Sequence, residues 1–175
     1  MTVQAPHGGE RRIETATAAD AEAIMGLYRA MIGRPGCTWN EHYPTPALLA
    51  RDLRDGNVYV MRDGAGAIIA TLAIDQDEAV DALPCWSLAP GTSRELARLC
   101  VRADYQNQGV ARQMLRFGMA ALKARGYQGV HFLVSPQNPQ ALASYAKLGF
   151  RNVGTAEVFG QSWYCYEKQW NEESI

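Results

Sequence analysis

The sequence predicts a mixed α/β fold, with a mostly antiparallel sheet rather than a doubly wound parallel one. Three observations carry this. A strand–helix–strand run from Arg94 to Val134 predicts two neighbouring parallel strands joined by a right-handed crossover. The tetrapeptide Asp63-Gly64-Ala65-Gly66 sits between two β-rich runs and reads as a hairpin turn. Phe150–Val158 and Trp163–Trp170 read as a closing antiparallel pair. A chain of 175 residues fits one domain, which we place over residues 12–175.

The elements follow in order. Residues 1–11 are polar, with Pro6 and two adjacent glycines, and read as a loose arm. Arg12 to Thr15 is a short strand. Thr17 and Asp20 have helix-capping spacing, and Ala21, Ile24, Met25, Tyr28 and Ile32 follow at helical period. Gly33, Pro35 and Gly36 end that helix. Cys37 to Thr45 is an aromatic loop, and Pro46 opens a second helix that ends near Gly56. Val58–Arg62 and Ala67–Asp75 are the hairpin strands. Asp75 to Ser93 reads as a loop, with a strand near Trp86 and a solvated acidic turn at Asp75, Asp77 and Glu78. Arg94–Arg102 is a strand. Val110–Arg125 is the clearest helix: Ala111, Met114, Leu115, Gly118 and Leu122 make one stripe, and Gly126 is the stop. Val130–Val134 is a strand, and Pro139–Leu148 is a helix between a proline start and Gly149.

Composition excludes several classes. The net charge is −1, which argues against a nucleic-acid binder that works by bulk electrostatics. A 47% hydrophobic content is ordinary for a globular chain. The longest apolar run, Ala67 to Ile74, is far short of the roughly 20 residues that span a bilayer, and the N-terminal residues have no apolar core of a secretory signal. The four cysteines lack metal or redox spacing, and three scattered histidines make no ligand pattern. The expectation is a reduced, soluble, cytoplasmic protein with no metal, no nucleic acid and no membrane partner.

Three segments carry chemistry. Gln106-Asn107-Gln108-Gly109-Val110-Ala111 lies between a strand and a helix N-terminus. Unpaired amides and the helix dipole there suit a phosphate, with Arg112 adding charge. The same hexapeptide also fits an ordinary tight connection. A triphosphate-binding loop and a dinucleotide fingerprint are both absent; the one G-x-G, at Gly64 and Gly66, sits in the hairpin turn. Asn138 and Tyr145 are seven apart on one helix and point the same way, with Ala141 between them. The alternative is a half-buried core tyrosine with its hydroxyl satisfied. Strand alternation places Glu95, Ala97, Leu99 and Val101 on one face. A carboxylate on such an apolar face has the raised pKa of a base near neutrality, unless the strand frays and leaves Glu95 solvated or paired with an arginine.

Together these segments resemble the GNAT superfamily of acyl-CoA-dependent N-acyltransferases. The superfamily's phosphate loop, Q/R-x-x-G-x-G/A, is matched by QNQGVA at 106–111. Its strand E-L-x-R-L-x-V is matched by ELARLCV at 95–101, and its block N-x-x-A-x-x-x-Y-x-K-x-G-F by residues 138–150. Thr17 to Ala21 looks like the usual entry to its first helix. The match spans residues 94–150, about a third of the chain.

The resemblance implies a sheet with a splayed parallel strand pair and flanking helices, and acetyl-CoA as co-substrate. Pantetheine would pair with backbone at Leu99, Cys100 and Val101. Gln106 belongs to the motif, and the amides of Gln108, Gly109, Val110, Ala111 and Arg112 would hold the pyrophosphate. Asn138 would contact the pantetheine arm, and Tyr145 would sit at the thioester sulfur. An amine must lose a proton before it attacks a thioester, and Glu95, directly or through water, is the expected base. The oxyanion would meet an N–H near Val101. A leaving thiolate with a pKa of about 8.5 meets a phenol of about 10, so Tyr145 can hydrogen-bond the departing sulfur and donate a proton, though the transfer is not strongly downhill. An acyl-cysteine at Cys100 is disfavoured, because small core cysteines are common and Cys100 points away from Val101.

The acceptor side is expected among Trp39, Glu41, His42, Tyr43, Trp86, Phe159, Trp163 and Tyr164, with Trp39, Tyr43 and Trp163 foremost. An aromatic loop with an acidic residue can cradle a cationic amine. His131, inside a strand, reads as a hydrogen-bonded structural histidine. The expected activity is acetyl transfer from acetyl-CoA to a primary amine of a small molecule or peptide, by direct attack in a ternary complex. The alternative is a non-catalytic acyl-CoA-binding module on the same scaffold. A homodimer through edge strands suits this architecture.

Overall fold

The computed structural model describes residues 2–4 and 10–170. These gather into two compact units. The first holds the described residues up to Ile74 together with Ala97–Gly118, and the second holds Asp75–Leu96 and the chain from Met119 onward. The fold is a mixed α/β one with eight strands, mostly antiparallel, one parallel pair and flanking helices.

In the first unit, β1 (Thr2–Gln4) and β2 (Glu10–Thr15) pair antiparallel, with Val3 opposite Arg11. The loose arm expected over 1–11 is therefore strand at 2–4 and 10–11; residues 1 and 5–9 lie outside the described residues. The strand was hidden because Arg11 takes an inward position that a hydrophobe would normally mark: Arg11 and Ile13 are buried while Glu10 and Arg12 are exposed. Next, β2 pairs antiparallel with β3 (Val58–Arg62), and β3 with β4 (Ile68–Asp75). The hairpin between β3 and β4 closes as expected, with the Asp63 amide donating to Ala67 O at 2.9 Å. Strand β5 (Ser93–Val101) neighbours β4, and just past its end the Arg102 amide donates to Ile69 O at 2.8 Å.

Helix α1 (Ala21–Met31) follows a 3-10 turn at Ala18–Asp20, where the Thr17 amide donates to Asp20 Oδ2 at 2.9 Å. Ile24, Met25, Leu27 and Tyr28 are buried. Ile32, expected to continue the stripe, is 39% exposed, because the helix stops at Met31 and the backbone turns away. Helix α2 (Pro46–Arg54) has Pro in its first turn, and Thr45 Oγ1 accepts from the Leu48 amide at 3.1 Å. These two helices close the core of the unit with Leu49, Leu53, Val58, Val60 and Cys100.

In the second unit, the Ser93–Leu96 part of β5 lies beside β6 (Gly129–Val134) in parallel, with Ser93, Arg94 and Glu95 opposite Gly129, Val130 and His131. Strand β6 pairs antiparallel with β8 (Gln161–Gln169), and β8 with β7 (Arg151–Val158). The expected strand near Trp86 is absent. Residues 76–92 instead form a short helix α3 (Glu78–Asp81) followed by turns, with Pro84 and Pro90 withholding two backbone donors. The acidic run is not a solvated turn either: Asp75 is buried, and Asp77 Oδ1 caps α3 through the Ala79 amide at 2.9 Å. Helix α4 (Val110–Ala124) runs through both units, with Met114, Leu115 and Leu122 buried and Ala111 half-buried. Helix α5 (Pro139–Lys147) buries no residue fully. No helix of the described residues is long and apolar enough to cross a membrane.

Arg62 joins the strands of the first unit to its helical entry. It donates to both oxygens of Asp20 at 2.9 Å and also to Glu14. Burial pushes the Asp20 carboxyl upward, but the Thr17 amide and the Arg62 guanidinium outweigh it and hold the group below its ordinary 3.8. A depressed carboxylate stabilises the fold fully above its ordinary value and stops doing so as pH falls through the lower folded value. Asp20→Asn should therefore flatten the acid limb of urea stability below about pH 4. It should also cost on the order of 1–3 kcal/mol at pH 7. An unchanged acid limb would place that pH dependence on other carboxylates.

Candidate functional site

The segment that precedes α4 is a braced loop. A 3-10 turn at Ala103–Tyr105 leads into Gln106–Gly109, with Asn107 at φ 62° and Gly109 at φ 79°. Left-handed backbone at Gly109 is what glycine supplies at low cost, and a Cβ built there meets nothing within 4 Å. The surface before the helix is thus open, and the first-turn amides of α4 have no acceptor within the helix. Two glutamines hold the loop in shape. Gln106 Nε2 donates to Val101 O at 3.1 Å, and its Oε1 accepts from Arg34 at 3.4 Å. Gln108 Nε2 donates to Asp104 O at 3.0 Å, and its Oε1 accepts from Arg11 at 3.0 Å. Both side chains are engaged internally, so what they leave for a ligand is backbone. Arg112 Nε is buried with no hydrogen-bond partner among the described residues.

The strand leading into this loop alternates in burial from Glu95 to Cys100 although one of its residues is left-handed. Arg98 has φ 52°, a left-handed kink that interrupts the extended backbone. Leu96, Arg98 and Cys100 are buried, whereas Glu95, Ala97 and Leu99 are half-buried. Burial thus alternates as expected from Glu95 to Cys100 and departs only at Val101, which is buried at the end of the strand. The Cys100 thiol donates to Leu27 O at 3.3 Å, and burial pushes its pKa up to about 12. Cys100 is therefore an inert core thiol that offers only its backbone to a ligand.

The second unit holds Glu95, Asn138 and Tyr145. Glu95 sits in the β5–β6 ladder opposite His131, so the strand does not fray there. His131 is bonded at both ring nitrogens, to Ser93 Oγ at 2.6 Å and to Asp81 at 2.9 Å. Burial holds its pKa below 6.5 despite the Asp81 carboxylate beside it. This is the structural histidine expected from the sequence, now seen to flank Glu95. Phe132, the next residue, points to the opposite face of β6 and meets the Tyr145 ring at 4.7 Å between centroids. Phe150 and Tyr166 complete that aromatic cluster. The Tyr145 ring is thus core, yet its hydroxyl has no hydrogen-bond partner among the described residues, and burial raises its pKa above the ordinary 10. Glu95 is thus the ladder neighbour of His131, and Tyr145 the ring neighbour of Phe132. Asn138 Oδ1 caps α5 by accepting from the Ala141 amide at 3.1 Å, which leaves its amide NH2 for other partners.

The aromatic residues expected at an acceptor site have mostly structural partners. In the first unit, Trp39 meets the Tyr28 ring edge-on at 5.4 Å. Tyr43 is 43% exposed, and its hydroxyl accepts from Arg98 at 3.2 Å. Glu41 and His42 are exposed and paired with each other at 3.3 Å. In the second unit, the Trp86 indole donates to Val80 O at 2.8 Å and covers His131. The Trp163 indole donates to Val158 O at 2.9 Å, Tyr164 is half-buried, and Phe159 is 59% exposed.

Sequence reasoning missed the buried Arg98–Asp52 pair, at 2.7 Å, which carries Tyr43. It also missed Arg11, set aside with the polar arm, and Asp81 and Glu167, which anchor residues 76–92. Glu167 accepts from the Ser87 amide at 3.1 Å, the Leu88 amide at 3.3 Å and the Ser87 hydroxyl. Only Arg98 left a trace in the sequence, as a charged residue inside an apolar strand.

Known proteins were compared once this geometry was in hand. The family model described as "Acetyltransferase (GNAT) family" matches residues 24–150. A solved acetyltransferase of the GNAT family from Listeria monocytogenes 4b F2365 superposes with a TM-score of 0.77 at 18% identity, covering 97% of this chain and 99% of that one. One from Streptococcus agalactiae 2603 has a TM-score of 0.75 at 19% identity, covering 91% and 95%. The ribosomal-protein-S18-alanine N-acetyltransferase of Escherichia coli has a TM-score of 0.69 at 18% identity, covering 91% and 93%. At these identities the structures speak to the fold, and the family model speaks to descent. Loop, strand and helix motifs, fold and family model agree: the chain belongs to the acetyltransferase (GNAT) family.

Proposed function

We propose that this protein transfers the acetyl group of acetyl-CoA to a primary amine of a small molecule or peptide, by direct attack in a ternary complex in the cytoplasm. The observation that carries this reading is Tyr145: a motif tyrosine whose ring is fixed in an aromatic cluster while its hydroxyl stays open and protonated at neutral pH. Buried tyrosine hydroxyls usually find a hydrogen-bond partner.

The chain's own groups fit such a ligand. Open space at Gly109 and the first-turn amides of α4 suit the pyrophosphate without a lysine. Leu99 is half-buried, and backbone from Leu99 to Val101 would take the pantetheine. Acetyl-CoA brings an acyl group already activated as a thioester. Glu95 would accept the proton of the attacking ammonium. Tyr145 Oη would donate its proton to the departing sulfur and recover one from solvent. Binding both reactants in one complex lets binding energy align them for the attack. The Escherichia coli relative acts, by its name, on an alanine of a ribosomal protein, which supports including a peptide α-amine among the acceptors.

Thiol release across a panel of amines tests the reading as a whole. Release with at least one amine is expected; tight acetyl-CoA binding with no release would favour a binding module instead. Tyr145→Phe should lower turnover by about 100-fold with little change in coenzyme affinity. Full turnover in that variant would remove the phenol from the chemistry. Glu95→Gln should abolish the acidic limb of the pH–rate profile; a limb that persists unshifted assigns it to another base. Gly109→Val should abolish coenzyme binding, because a β-branched residue at φ 79° is strained and its side chain occupies the open surface.

A further inference from the structure

We propose that Arg11, on β2, is a further residue of the coenzyme site and contacts a phosphate group of the bound coenzyme. This rests on the coenzyme reading of the loop given above.

Six arginines of the first unit lie wholly or partly out of water: Arg11, Arg34, Arg62, Arg98, Arg102 and Arg112. Arg62 faces Asp20 and Glu14, Arg98 faces Asp52 at 2.7 Å, and Arg102 faces Asp104 at 2.7 Å. Arg11 is the most deeply buried of them, at 2% exposure, and it has no carboxylate partner among the described residues. Its guanidinium rests on the Tyr105 ring, 4.9 Å from the centroid, and donates one hydrogen bond, to Gln108 Oε1 at 3.0 Å. Its Nε is buried with no acceptor. A ring face and a neutral amide are weak compensation for a desolvated cation.

The position of Arg11 gives the missing anion an address. Gln108, its only hydrogen-bond acceptor among the described residues, is exposed and lies two residues before α4, whose first-turn amides have no acceptor within the helix. A phosphate at those amides would let the guanidinium trade a neutral acceptor for a charged one, in the planar fork geometry that suits phosphate. Arg102, stacked on the same Tyr105 ring, is neutralised by Asp104 and has no such vacancy.

Calorimetric titration of the full chain with CoA, and with CoA lacking its 3′-phosphate, tests this in the wild type, Arg11→Lys and Arg11→Gln. We expect Arg11→Gln to weaken CoA at least about tenfold, with Arg11→Lys in between, as for loss of a charge-assisted hydrogen bond. Equal loss for both ligands assigns the contact to the pyrophosphate; loss confined to CoA assigns it to the 3′-phosphate. A folded Arg11→Gln chain that binds CoA as the wild type does overturns the inference and leaves the coenzyme reading intact. A wild-type chain that binds no CoA overturns both. If the variants fail to fold, the Arg11 Nε–H resonance of the wild type decides: it should shift when CoA is added, and a resonance unmoved at saturation overturns the inference.

Discussion

A guanidinium withdrawn from water needs an anion, and the first unit is arranged around that requirement. Arg62 ties β3 to the carboxylates of β2 and of the turn before α1, so the sheet edge and the helical entry share one charge centre. Arg98 plays the same part deeper in. Its Nη2 donates to Asp52 of α2, and its Nη1 donates to Tyr43 in the loop between the helices. Arginine suits these places because a planar fork can serve two elements at once. Removing Asp52 would cost more than one lost contact, because Arg98 is buried.

The second unit meets a related requirement with a row of polar residues across its sheet. Glu95, His131 and Glu167 are successive ladder partners on β5, β6 and β8. Residues 76–92 reach two members of this row, through Asp81 on His131 and the Ser87 and Leu88 amides on Glu167. A Cβ built at Gly129 would come within 2.5 Å of Leu88 Cδ1, so the segment lies directly on the sheet. Its irregular course follows from what it caps, which is polar atoms at unequal spacing rather than a neighbouring strand.

This difference also explains what could be read from residues alone. Segments under one periodic force were legible: the β3–β4 hairpin, α4, and the closing β7–β8 pair all fall within a few residues of expectation. The coenzyme-type loop was legible because glycine and small residues before a helix have a local cause. Long-range charge pairing has no local trace. Asp52 looks like any exposed helical acid, Arg11 like part of a polar tail, and Glu167 like an edge residue, yet all three are buried. The strand imagined at Trp86 came from reading an aromatic residue as β-forming, when its indole is spent on Val80 and its ring on His131. The alternation drawn from Glu95 holds in burial through Cys100 and fails only at Val101, the last residue of the strand.

Helix α5 buries none of its nine residues fully and is fastened by an asparagine cap at one end and the Tyr145 ring along its length. Elements with so little buried surface open at free energies well below that of global unfolding. The residue proposed to protonate the leaving sulfur is therefore also the clasp of the most weakly fastened helix. Amide exchange along α5 would report that local opening directly, and a ligand lying against Tyr145 would slow it. Catalytic readiness and the closing of this helix would then be one equilibrium, watched by the same ring.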